Sequence, residues 1–218
     1  MQIFWKGQSC FQLITGLPAG RQVKIVIAPF SEEIGLRLPK LEADILLTTH
    51  SHEDLNNIKA VGGPSAGSGP FLIQGPGEYE VKGVYIKGIP SFHDEETGEN
   101  TIYIIEVEDL KICHLGDLGQ KELTEEQVEG IGEIDVLMIP VGGVYTISSK
   151  EALKVMSQIE PKVTIPMHYA LPKLKSKLEG VDNFLKILGI KSVVPEEKLI
   201  IKKKDMSGEE AKVVVLQP

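Results

Sequence analysis

The sequence predicts an α/β fold in which two mixed β-sheets pack face to face and are flanked by helices. Two observations carry this. The first half is a succession of short apolar segments rich in β-branched and aromatic residues and punctuated by Gly, Pro and Asn, which is strand and hairpin composition. In the second half, buried strands alternate with capped helices, as in sheets covered on an outer face.

In order, strands are expected at 11–15, 23–28, 45–48, 71–74, 80–87 and 101–107, several of them joined as hairpins. Further buried strands follow at 111–115 and 135–139. Between those two a helix begins at Thr124, where Thr124 and Gln127 have capping-box spacing and Gly130 stands at its end. Ser148 and Glu151 repeat the capping box for a longer helix that aligns Ala152, Leu153, Met156 and Ile159 before Pro161 stops it. A strand at 163–166, a helix around 181–188 and closing strands at 198–201 and 212–216 complete the chain. The stretch GGPSAGSGP, residues 62–70, is a short connection, and no internal repeat is visible.

The chain has 218 residues, enough to bury a substantial core as one domain spanning 1–218. Its 42% hydrophobic and 25% charged residues exclude disordered and fibrous classes. A net charge of −8 repels phosphate backbones and counts against a nucleic-acid partner. The start, MQIFWKGQSCFQL, lacks the apolar run of a signal peptide, and no stretch approaches the roughly 18 apolar residues of a membrane span, so a cytoplasmic protein is expected. Cys10 and Cys113 form no C-x-x-C pair and read as buried core residues rather than a disulfide or thiolate site.

Of the five histidines, four stand where an apolar segment gives way to polar loop. Strand ends facing one sheet edge are where ligands gather without disturbing the core. His50 and His52 are two apart in an extended segment, so both point to one side and can reach one cation. Asp54 reads equally as a ligand and as an N-cap for the LNNIKAV segment. His114, inside the apolar run KICHL, reads as a buried, hydrogen-bonded residue.

The segment THSHED, residues 49–54, resembles the T-H-x-H-x-D-H motif of the metallo-β-lactamase superfamily. His93 in IPSFHDE resembles the third-motif histidine, Asp117 in HLGDLG the bridging aspartate, and His168 in TIPMHY the last histidine. The resemblance runs through the whole chain, including GQSCFQLI and VGGVYTIS, and is to the small single-domain metal-dependent hydrolases that include the ascorbate-6-phosphate lactonase group. It implies a four-layer αβ/βα sandwich. It also implies a first metal site of His50, His52 and His93, a bridging Asp117, and a second site served by Asp54 and His168. Asp54 and His168 are the candidate catalytic residues.

Two residues depart from the family pattern. Leu55 stands where a second-site histidine is usual, and Ala28 in VIAPF stands where a loop-ordering aspartate is usual. Leu55 favours one tightly held ion over two, with zinc expected and manganese or iron compatible with the same donors. The function implied is a metal-dependent hydrolase that activates water on the metal against an ester, lactone, amide or phosphoester of a small molecule. Alternatives are a degenerate, non-catalytic member binding a metal or small ligand, and a nucleic-acid phosphodiesterase. The acidic balance and the lack of a basic run near the site oppose the last.

Overall fold

The computed structural model describes residues 1–17, 20–51, 56–65, 67–93, 98–206 and 211–218. Alternation of apolar and polar residues in QIFWKG and CFQLITG builds the first hairpin: β1 (Gln2–Gly7) pairs antiparallel with β2 (Cys10–Gly16), burying Ile3, Trp5, Phe11 and Leu13. β3 (Gln22–Ile27) continues antiparallel to β2. After the short β4 (Leu41–Glu42), the fully buried β5 (Ile45–Thr48) lies parallel to β3. β6 (Val61–Gly62) pairs with β4 in a separate two-stranded ladder, and β7 (Phe71–Gln74) adds parallel to β5.

The second sheet starts as an antiparallel meander of β8 (Gly77–Val81), β9 (Val84–Phe92), β10 (Glu99–Val107) and β11 (Leu110–His114). It becomes parallel where helices intervene. α1 (Glu125–Ile131) precedes β12 (Val136–Pro140), and α2 (Ser149–Ile159) precedes β13 (Val163–Met167). Past α3 (Val181–Ile187), β14 (Leu199–Ile200) returns to β1 and β15 (Lys212–Val213) to β13. The result is a six-stranded sheet, β14-β1-β2-β3-β5-β7, against a seven-stranded one, β15-β13-β12-β11-β10-β9-β8.

One apolar cluster joins the sheets, from Ile3, Trp5 and Ile27 to Ile104, Ile112 and Met138, and continues to Ala152 and Val155 of α2. The opposite face of the first sheet buries Cys10, Val26 and Leu46 with Phe30, Leu38, Leu41 and Val61. On that side the cover comes from single 3₁₀ turns at Glu32–Ile34 and Ile58–Ala60 and the β4–β6 ladder.

The two-sheet architecture expected from sequence is present, with local differences. The segment 80–87 is two strands, because Lys82 (φ 54°) and Gly83 (φ 81°) make a tight turn inside it. β1 is a strand that sequence reading omitted. α1 runs on to Ile131 and is capped by Gly132 rather than ending at Gly130. In α2 the buried residues are Ser149, Ala152, Val155 and Ile159, whereas Leu153, about 100° around the helix from Ala152, is exposed. Both capping boxes, Thr124 with Gln127 and Ser148 with Glu151, form as predicted. Among the described residues no helix is long and apolar enough to cross a membrane.

Candidate metal site

Four strands end at one edge of the sandwich, and each leads into a candidate ligand. His50 follows β5, His93 follows β9, Asp117 follows β11 and His168 follows β13. The loops are laced by backbone hydrogen bonds: Thr101 N–H to Thr49 O at 2.7 Å, Gly119 N–H to Phe92 O at 2.9 Å, and His168 N–H to Gln8 O at 3.2 Å. The last brings the β1–β2 turn into the site.

Asp117 is the centre of this arrangement and is buried. One carboxylate oxygen, Oδ1, accepts from the Ser9 hydroxyl at 2.5 Å, and Oδ2 lies 3.5 Å from His168 Nε2. Its backbone N–H donates to Asn100 Oδ1 at 3.0 Å, while Asn100 Nδ2 donates to Ser91 Oγ and Leu115 O. Burial pushes the carboxyl pKa up, but His168 and His50, the Ser9 hydroxyl and His93 together outweigh it, and the acid is held below its ordinary value. The carboxylate form, which a cation requires, is the stable one.

Each of the three site imidazoles is anchored through Nδ1. His93 Nδ1 lies 2.8 Å from the Asp117 carbonyl, and since a carbonyl only accepts, that nitrogen carries the proton. His50 Nδ1 is 3.0 Å from Thr49 Oγ1, and His168 Nδ1 is 3.5 Å from Thr146 Oγ1. A ring fixed at Nδ1 has Nε2 as its ligand nitrogen, which is how protein matrices orient metal-binding histidines. The His50 and His93 rings stack with centroids 5.8 Å apart and planes 4° from parallel.

His114 lies below this layer, fully buried. Gly116 N–H donates to its Nδ1, so its Nε2–H donates to Ser9 O at 2.8 Å. Burial pushes its pKa down to about 4 and keeps the ring neutral. It therefore holds the backbone of the residue whose hydroxyl holds Asp117.

Two glycines allow the close packing. A Cβ on Gly116 (φ 62°) would lie 2.2 Å from Asn100 Oδ1, and one on Gly142 would lie 2.2 Å from the His168 carbonyl oxygen. His168 itself has φ 50°, the left-handed conformation that turns its ring back from β13 toward Asp117. Ala28, at the end of β3, is buried, also left-handed (φ 47°), and donates to Leu47 O at 2.9 Å.

Of the residues singled out from sequence, His50, His93, Asp117 and His168 are thus brought together, whereas His52, Asp54 and Leu55 lie outside the described residues. Among the described residues no three donors converge closely enough to hold an ion by themselves. The donor chemistry nevertheless fits one: imidazoles with Nδ1 anchored, beside a buried carboxylate. Ser9, Thr49, Asn100 and the positioning role of His114 escaped sequence reading. The available signal was the placement of small polar residues inside apolar runs, as in GQSCF and ENTIY.

A family model for the beta-lactamase superfamily domain matches residues 2–168. The chain belongs to this superfamily. Among solved structures it is similar, at 42% identity and TM-score 0.78 over 99% of this chain and 97% of the other, to a Thermotoga maritima protein assigned as a Zn-dependent hydrolase of the metallo-beta-lactamase superfamily. It is also similar to proteins named metal-dependent hydrolases. One, from Thermococcus onnurineus, is 30% identical over 78% of this chain and 87% of the relative. Another, from Staphylothermus marinus, is 30% identical over 92% of this chain and 95% of the relative. The superfamily match spans every described candidate ligand, from His50 to His168.

Proposed function

We propose that the chain is a metal-dependent hydrolase of small molecules, using one zinc ion held by His50, His52 and His93 with Asp117 in the bridging place, while Asp54 and His168 occupy the second-site positions, with residues 1–218 acting as one domain. The observation that carries this reading is the placement of His50, His93 and His168 at one sheet edge around Asp117, a buried carboxylate whose Oδ1 accepts from Ser9 and whose Oδ2 lies 3.5 Å from His168 Nε2. The names of the relatives support it. Leu55 supports one ion rather than two. A cytoplasmic location is part of the same proposal.

A zinc ion, when bound, supplies Lewis acidity and brings the pKa of water down to about 7. The protein's part is orientation. Ser9 restrains one oxygen of Asp117, leaving the other turned to His168. His168 Nε2 is placed to donate to an oxygen on which charge develops, or to serve as a ligand. Asp54 is assigned the proton transfer. A cleft of about 310 Å³ opens beside His50, lined by Thr49, Ser51, Asn56, Phe92 and Asn100, a size suited to a small ester, lactone, amide or phosphoester. Phe92 at the end of β9, next to His93, and Val144 and Tyr145 in the loop before α2 are exposed and supply apolar contact. Hydrolysis of a panel of such substrates before and after chelation tests the proposal: loss on chelation and recovery on zinc addition are expected, and turnover that persists without metal would refute it.

A further inference from the structure

Behind the Gly7–Ser9 turn lies a second cleft, of about 630 Å³, which the reaction proposed above does not use. Its walls meet over Gly7, where a Cβ would stand 3.3 Å from Leu36 Cδ1 and 3.6 Å from Leu171 Cδ1. The lining comprises three cations, Lys6, Arg37 and Lys40, an apolar part that includes Leu36, Leu38 and Leu171, and Pro218, the last residue of the sequence. Its two loops are tied together: Lys175 N–H donates to Ile34 O at 2.9 Å, Leu38 is buried, and Gly35 packs so closely on Lys173 O that a Cβ there would lie 2.3 Å away. The cleft is preformed.

The charge arrangement is unusual for a chain of net charge −8. Among the described residues none of the three cations pairs with a carboxylate within 4.0 Å, although other lysines do, and Lys6 Nζ lies 5.0 Å from the Phe4 ring centroid. Glu32 and Glu33 precede the cleft in sequence but line none of it. Three like charges gathered around one concavity repel one another, and an anion seated between them reverses the sign of that energy. Arg37 offers a planar fork that matches the oxygens of phosphate or carboxylate, with the two lysines as point charges. The leucines add a surface that a bare inorganic ion would leave wet.

We propose that this cleft is a binding site for an amphiphilic anion, its phosphate or carboxylate head between Lys6, Arg37 and Lys40 and its alkyl or aryl stem against Leu36, Leu38 and Leu171. The volume falls within the roughly 300–1,000 Å³ of small-molecule sites. The site is separate from the candidate metal ligands, since the Gly7–Ser9 turn stands between them.

The test is calorimetric titration of the full chain at low ionic strength with hexyl phosphate, hexanoate and inorganic phosphate. The proteins compared are wild type, the double variant Arg37→Ala/Lys40→Ala, and His93→Ala. Saturable binding of at least one hexyl probe at one per chain is expected, weakened at least about tenfold in the double variant, because two charge-assisted contacts are lost. Binding is expected to be unchanged in His93→Ala, and inorganic phosphate is expected to bind more weakly than hexyl phosphate. The tighter of the two hexyl probes identifies the head group. Absence of saturable binding would overturn the proposal. So would affinity kept in the double variant but lost in His93→Ala, which would seat the anion at the metal site, or equal affinity for inorganic and hexyl phosphate. No turnover is read, so the outcome is independent of the hydrolase proposal.

Discussion

The Ser9 hydroxyl reaches Asp117 at 2.5 Å, and its backbone carbonyl is held by His114 Nε2 at 2.8 Å. Partners of a metal ligand typically contribute 10–100-fold to affinity, so Ser9→Ala is expected to weaken zinc binding by about that factor in a chelator competition titration, with Ser9→Thr restoring part of it. Unchanged affinity would show that Asp117 needs no such restraint. His114 makes a separate prediction about pH. Its folded pKa, about 4, lies below the ordinary 6.5, so the unfolded chain binds the extra proton first. The stability of the neutral ring is complete above the unfolded value and is lost as pH falls from 6.5 toward 4, costing about 2 kcal/mol between pH 7 and 5. Urea unfolding of wild type beside His114→Gln, which preserves one donor and one acceptor, is expected to show that part of the pH slope removed in the variant.

At the scale of elements, the strands were legible wherever apolar runs were bounded by turn residues. The 45–48 and 71–74 segments match β5 and β7 residue for residue, and both capping boxes form. What escaped depended on conformation rather than pattern. Lys82 has a left-handed backbone that a non-glycine residue does not advertise, so the β8–β9 hairpin read as one strand. In α2, apolar character alone could not distinguish the core-facing Val155 from Leu153. Val155→Ala is expected to cost about 2 kcal/mol in chemical denaturation, and Leu153→Ala less than about 0.5 kcal/mol. The reverse order would mean that the helix is rotated on the sheet. The same division holds for the site: side chains with metal chemistry were visible in sequence, whereas Ser9 and Asn100 reach Asp117 only through the fold.

At the scale of the molecule, the sandwich brings four strand ends to one edge while its closing segments tie down the far side. Asp135 is buried at the start of β12, accepts from Lys111 N–H at 3.0 Å, and pairs with Lys203 at 2.8 Å and Lys162 at 3.1 Å. Burial raises its pKa, but Lys203, the Lys111 N–H and Lys162 bring the balance below the ordinary value. Its contribution is therefore present above the unfolded pKa and is lost as pH falls through the lower folded one. Asp135→Ala is expected to cost about 1–3 kcal/mol at pH 7 in chemical denaturation, because it strips the acceptor from the half-buried Lys111 N–H and the partner from two lysines. An unchanged midpoint would show that the 203–206 turn is held by other contacts.

A metal at the strand-end cluster of His50, His93, Asp117 and His168 would be read out by the metal content per folded chain. Elemental analysis of purified wild type beside His93→Ala is expected to find about one zinc per chain in the first and to find it largely lost in the second. Equal metal content in both proteins would contradict the assigned site, and two tightly bound ions in wild type would contradict the single-ion reading drawn from Leu55.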